Sequence, residues 1–304
     1  MGRRRTAPAP SVGAGAVSRW QLRLFLLGPA LAWWLVFLVL PVGIVLGYSL
    51  FERGEFGGVV PNLTLDNYGR ALDPLYTSVL LNSLRMAALA TVIALVIGYP
   101  VAYFVATRPR RWRTPLLILV ILPFWTSFLI RTYAWIVLLN REGLINRPLL
   151  NAGIIGEPLP LLNNEFAIVL GLVYIYLPLM ILPLYAALER ISPELREAST
   201  DLGASPVRTF LTVTLPLSST GIAAGAIFVF VPSLGNFIVP ELLGGGRHPM
   251  IGNLIQGQFL RARDWPFGAA LAAGLIAITV GLLLVQAWLL MRERRRESGA
   301  TADA

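Results

Sequence analysis

"EASTDLGASPVRTFLTVTLPL", residues 197–217, is a half-polar stretch between two of the most apolar segments of the chain. Its first dozen residues carry two carboxylates, an arginine, a glycine and a proline. Together with the residues just before it, the stretch predicts two short helices joined by a hinge. Ser192 stands where it caps the first helix, Pro193 suits its first turn, and Glu194 meets the positive end of its dipole. Leu195, Ala198 and Leu202 follow one another at i, i+3 and i+7 as an apolar stripe, so Glu194, Glu197 and Asp201 point elsewhere. Gly203 falls where a left-handed C-cap is expected, and Ala204 follows it. Ser205 and Pro206 repeat the start for a second helix, with Val207, Phe210 and Leu211 on a single face. Pro216 is expected to end that helix at the membrane. The elbow drawn in this way is held against the ends of the neighbouring spans and offers carboxylates and a glycine turn to the cytoplasm. The residues alone equally allow an ordinary loop helix lying among lipid headgroups.

The surroundings decide the class. Of the 304 residues 56% are hydrophobic and only 13% charged, with a mean hydropathy of +0.69. Soluble domains carry about a quarter of charged residues, so this is an all-α integral membrane protein. Six stretches reach the roughly 20 apolar residues that a membrane helix needs: about 24–50, 78–105, 115–139, 166–188, 217–240 and 267–291. The first is too long for a signal-peptide core and no small-residue cleavage site follows it, so it reads as a retained helix. Residues 1–18, rich in Ala, Pro, Gly and Arg, read as a disordered cytoplasmic tail, 19–291 as a six-helix transmembrane domain, and 292–304 as a second cytoplasmic tail. Arginines set the orientation: 16 fall on the side of the two termini and of the 189–216 loop, against seven on the other side. Both termini and the elbow are therefore expected in the cytoplasm. Topology also accounts for the net charge of +9 without any nucleic-acid partner.

Glu197-Ala198, Asp201-Leu202-Gly203-Ala204, Phe210 and Leu215-Pro216 resemble the "EAA" loop of the permease subunits of ABC importers. In that family the pattern E-A-A-x-x-x-G precedes a hydrophobic residue and L-P, in the loop before the second-last span. Here Ser199 replaces the second alanine, and Thr220 stands where many members have proline before Gly221-Ile222. The resemblance makes the elbow the coupling helix that docks into a groove of the ATPase, with Glu194, Glu197, Ala198, Asp201, Gly203, Ala204 and Ser205 as its contact residues. It implies a type I importer fold of six spans. "LPFWTSFLIRTYAW" (122–135), "LGNFIVPELLGG" (234–245) and "IGNLIQGQFLRARDWPFGAAL" (251–271) are similar to the first of the two permeases of spermidine/putrescine importers. The implied partners are a second, related permease, two cytoplasmic ATPases and an extracytoplasmic solute-binding protein, in a bacterial inner membrane. ATP and magnesium would then belong to the ATPase and no cofactor to this chain. Ferric ion, phosphonate and opine permeases of the same family remain alternatives.

The residues agree that energy comes from elsewhere. All 25 basic residues are arginine, and a phosphate loop needs a lysine. With no cysteine and one histidine, His248, thiol catalysis and histidine metal sites have no material. "LLGGGRHP" (242–249) reads as a flexible turn. A proton- or sodium-driven carrier usually shows intramembrane acids, and none lies inside a span, although backbone carbonyls at a broken helix also hold sodium. For the path, Ser233 and Asn236 of the fifth span either line a pore or hydrogen-bond between helices. Trp125, Tyr133 and Trp135 form an interfacial belt or receive a cation on their ring faces. Glu241 and Asp264 are candidates for attracting that cation at the outer mouth, and Arg131 is expected to snorkel or to pair with a carboxylate.

Overall fold

The computed structural model describes residues 19–300, and side chains over 27–288 and at 291; the expected tail at 1–18 lies outside them. Two compact units divide between Gly47 and Tyr48. The first is helical, α1 (Arg19–Trp34) running through a π-helical turn (Leu35–Val39) into α2 (Leu40–Tyr48). Its apolar side chains, Trp33, Trp34 and Phe37 among them, are exposed, as a lipid-facing helix requires.

The second unit opens with a hairpin that hydropathy does not announce. Strands β1 (Phe51–Arg53) and β2 (Val59–Leu63) pair antiparallel around a turn in which the Gly57 N–H donates to the Gly54 carbonyl at 2.9 Å. Then come α3 (Asp66–Ala71), α4 (Pro74–Ala106), α5 (Arg110–Ile121), a 3-10 turn (Leu122–Trp125), α6 (Phe128–Leu139), α7 (Asn146–Asn151) and α8 (Glu165–Glu189). The elbow is α9 (Pro193–Asp201), α10 (Pro206–Thr209), a π-helical turn (Phe210–Thr214) and α11 (Leu215–Leu217). Helices α12 (Ser219–Gly235), α13 (Ile238–Leu243), α14 (Ile251–Leu260) and α15 (Trp265–Ala300) complete the chain.

Four apolar helices are long enough to cross a membrane: Leu27–Tyr48, Pro74–Ala106, Glu165–Glu189 and Trp265–Trp288. Six are reached where two bent pairs each count as one span, Arg110–Trp125 with Phe128–Leu139 at 86° and Pro206–Leu217 with Ser219–Gly235 at 65°. The straight third span expected over 115–139 is thus broken. Pro123 lacks the N–H that would continue the ladder, and the chain tightens into a 3-10 turn before Thr126 goes extended. The fifth expected span, 217–240, is also shorter, because α12 stops at Gly235 and Asn236 is extended.

Helix α8 is the centre of the core, packed between α4 and α12. Asn164 caps it, its side chain accepting the Ala167 N–H at 2.9 Å. Met86, Ala90 and Ala94 of α4 line up at i, i+4 and i+8 against Ile168, Leu172, Ile175, Met180 and Leu184 of α8, all buried. Glycines let α12 approach closely: a methyl group on Gly221 would lie 2.5 Å from the Ala187 Cβ, and one on Gly225 2.7 Å from the Met180 sulfur. Small residues at such crossings are how membrane helices gain dispersion contact where lipid offers no hydrophobic contrast.

Candidate functional site

The elbow is a built structure. Helix α9 ends at Asp201 with Leu202 as its C-cap, and Gly203 takes φ +81°. The Ala204 N–H donates to the Ser199 carbonyl at 3.1 Å and the Gly203 N–H to that of Thr200 at 2.9 Å, the paired bonds of a Schellman cap. Ser205 caps the next helix, accepting the Arg208 N–H at 3.3 Å. The departure at Ser199 has a use: its hydroxyl meets that of Thr209 at 3.0 Å and ties the two arms together. Ser192, by contrast, makes no cap bond, and its hydroxyl is enclosed without a partner. Pro216 does not end the second arm either, since the helix widens into a π turn and runs to Leu217.

The side chains face two ways. Inward, the Phe210 ring stands edge-on to Tyr99 at 5.5 Å and Tyr103 at 6.2 Å, both on α4. The Tyr99 hydroxyl meets that of Ser218, at the bend before α12, at 2.8 Å. Outward, Glu194, Glu197, Ala198, Asp201 and Gly203 are exposed, and Ala204 is half-buried. The three acids take part in no ion pair among the described residues. The apolar stripe also differs from expectation. Leu195 and Ala198 are exposed and Leu202 is 89% exposed, so the stripe is not laid against the spans. Exposed apolar side chains with unpaired acids between them make a surface suited to another protein. Beside it, α8, α9 and α12 border an open groove of about 400 Å³ lined by Ala187, Arg190, Leu195 and Gly221 among others.

The expected path residues are spread around two breaks in the helices. Ser233 is fully buried and donates to the Val229 carbonyl of its own helix at 2.7 Å. Asn236 stands at the end of α12, where its side chain accepts the Val239 N–H at 2.9 Å and donates to the Tyr176 hydroxyl on α8 at 2.9 Å. Both are therefore hydrogen-bonded within the protein. Glu241 on α13 pairs with Arg261 at 2.9 Å and remains partly exposed. At the other break, Trp125 is 80% exposed and Tyr133 is also exposed, while Trp135 packs edge-on to Tyr174 at 5.4 Å.

Two charges lie elsewhere than expected. Asp264 is buried, not a solvated acid at a mouth. It accepts from Arg70 at 2.9 Å and caps α15 through the Phe267 N–H at 3.2 Å. Arg131 neither snorkels nor finds a carboxylate among the described residues, and its guanidinium lies 5.0 Å from the Phe124 ring centroid. Sequence reading also missed the hydroxyl and ring contacts that join the elbow to α4. Aromatic residues in an apolar run gave no sign of which of them meet.

Comparison with known proteins follows the same lines as this geometry. Residues 94–297 match the family of binding-protein-dependent transport system inner membrane components, and the chain belongs to that family. It is 45% identical over 256 residues to the spermidine/putrescine transport system permease protein PotB of Escherichia coli (strain K12), covering 84% of this chain and 93% of that protein. The PotB of Haemophilus influenzae is 44% identical over 253 residues, covering 83% and 88%. Among solved structures, a bacterial ABC transporter involved in the import of the acidic polysaccharide alginate superposes with a TM-score of 0.72 at 18% identity, over 91% of this chain and 97% of that one. The fold is thus that of an ABC importer permease, and the protein is a multi-pass transport component of the inner membrane.

Proposed function

We propose that this chain is one of two related permease subunits of an importer that moves polyamines, spermidine or putrescine, by alternating access. Two cytoplasmic ATPases, which bind the ATP and magnesium, energise it, and an extracytoplasmic binding protein delivers the solute. In this reading both termini and the elbow lie in the cytoplasm. The observation that carries it is the elbow: a rigid, capped turn with three exposed, unpaired acids outside and Phe210 seated on α4 inside. A movement imposed on such a turn reaches α4 and α12 through Phe210, Tyr99 and Ser218. The substrate class is supported by 45% identity to the spermidine/putrescine permease. It is supported also by the exposed rings of Trp125 and Tyr133, whose faces attract cations. Helix α6, which carries Tyr133, packs on α13, which carries Glu241. The path is assigned along these side chains, with Ser233 and Asn236 at the break that would open it.

The test is ATPase activity of the complete complex in vesicles. Spermidine or putrescine on the cognate binding protein is expected to stimulate it several-fold. Stimulation by a phosphonate or ferric ion, with polyamines inert, would overturn the substrate and leave the importer standing.

A further inference from the structure

Arg131 lies one turn inside α6 and is about nine-tenths buried, yet no carboxylate of the described residues reaches it. Its Nε is enclosed without a hydrogen-bond partner. A guanidinium keeps its charge wherever a protein places it, and a buried charge left without a counterion is strongly disfavoured. Arginine side chains on a helix lean towards its N-terminus. Here that direction leads to the 86° bend, where Phe124 of the other arm sits against the guanidinium. The start of α6 adds to the positive potential, for Ser127 makes no side-chain cap bond and the first-turn amides point the same way. Two positive features converge on one bend, with no carboxylate of the described residues paired to Arg131. A polyamine is itself a cation and lipid tails carry no charge, so neither neutralises it.

The surface beside the guanidinium is open in a particular way. Ser127 and Ala134, at i−4 and i+3 from Arg131, are small and exposed. Small residues on a membrane helix admit a second helix at close range. We infer that the second permease subunit brings an Asp or Glu side chain against Arg131, forming an ion pair across the subunit interface that holds the bent span. The inference rests on the two-permease reading above. A bidentate pair satisfies the guanidinium fork and brings the missing charge, which a neutral helix cannot do.

The test uses the complete complex, with this chain tagged and the second permease, ATPase and binding protein co-expressed. Arg131→Glu and Arg131→Met are compared with the unsubstituted chain for abundance in the membrane and for capture of the second permease. Both variants are expected to insert, and both to lose captured permease by roughly tenfold or more. Changing one intramembrane Asp or Glu of the second permease to Arg is expected to restore capture by Arg131→Glu and not by Arg131→Met. Because the chain has no cysteine, Arg131→Cys adds a unique thiol, expected to cross-link to a cysteine placed at that same partner position. Normal capture by both variants, or failure of every partner acid to restore capture and cross-link, would overturn the ion pair. Failure of the unsubstituted chain to capture any second permease would overturn the two-permease reading itself.

Discussion

At Gly203 the backbone takes φ +81°, and nothing lies within 4 Å of the place where a Cβ would stand. The penalty for a side chain there is therefore conformational rather than a collision. Gly203→Ala is expected to cost about 1 kcal/mol and to loosen the Schellman cap. Membrane abundance should stay near normal while solute uptake by proteoliposomes falls. Glu197→Lys tests the outward face, since it reverses an exposed, unpaired charge and would set like charges together against a basic groove. Uptake should fall with ATPase activity either uncoupled from substrate or lost with poor assembly. Normal uptake by both variants would make the elbow an interfacial loop. Asp264 gives a stability test: Asp264→Ala removes the Arg70 pair and the α15 cap, and about 1–3 kcal/mol is expected from such a loss. Arg70 is partly solvated, which moderates the effect. A lower melting temperature in detergent would show it, with Asp264→Asn in between.

Helices α8 and α12 meet where Gly221 faces the Ala187 Cβ and the Pro183 carbonyl, 2.5 and 2.8 Å from a built methyl group. Gly221→Val is expected to push the pair apart at a cost of about 1–3 kcal/mol and to lower the melting temperature of the detergent-solubilised complex. Tyr99→Phe keeps the ring against Phe210 and removes only the Ser218 bond, so a loss near 1 kcal/mol is expected. Uptake should fall more than that loss implies if the hydroxyl carries movement from elbow to α12. The elements themselves were legible to unequal degrees. Apolar length placed four uninterrupted spans, and two more only where each bent pair counts as one, because a membrane asks little more of a span than length and apolarity. The bends at Thr126–Ser127 and Ser218 were hidden. Prolines stand within α8 and α12 as well, at Pro178, Pro183 and Pro232, without breaking either helix. Tertiary packing decides which proline becomes a corner. The elbow was legible because its signals are local: a proline at each helix start, a left-handed glycine and the Ser205 cap, although the cap expected at Ser192 does not form. Its exposed stripe was not, since the spacing of Leu195 and Leu202 makes an apolar face without saying what that face packs against.

For the molecule as a whole the distribution of charge separates what this chain does from what it requires. It builds membrane helices, a capped elbow and two broken helices, but has no lysine and no G-x-x-x-x-G-K pattern. Its glycine run follows α13 as a turn, with Gly245 at φ +61° and Gly246 at φ +70°, and Gly245 packs against the Asn163 side chain. A phosphate cradle needs a glycine loop opening onto a helix N-terminus, with a lysine reaching the phosphates. Here a glycine-rich turn follows a six-residue helix and no lysine is present. The purified chain without partners is accordingly expected to show no saturable ATP binding in equilibrium dialysis with labelled nucleotide, and no hydrolysis above buffer. Adding the ATPase subunit should bring both, and Glu197→Lys should weaken the capture of that subunit while leaving the chain's abundance unchanged. Saturable nucleotide binding by the isolated chain would place an energy-converting site in a sequence that has no lysine to build one, and the assignment as a transport subunit driven from outside would fall.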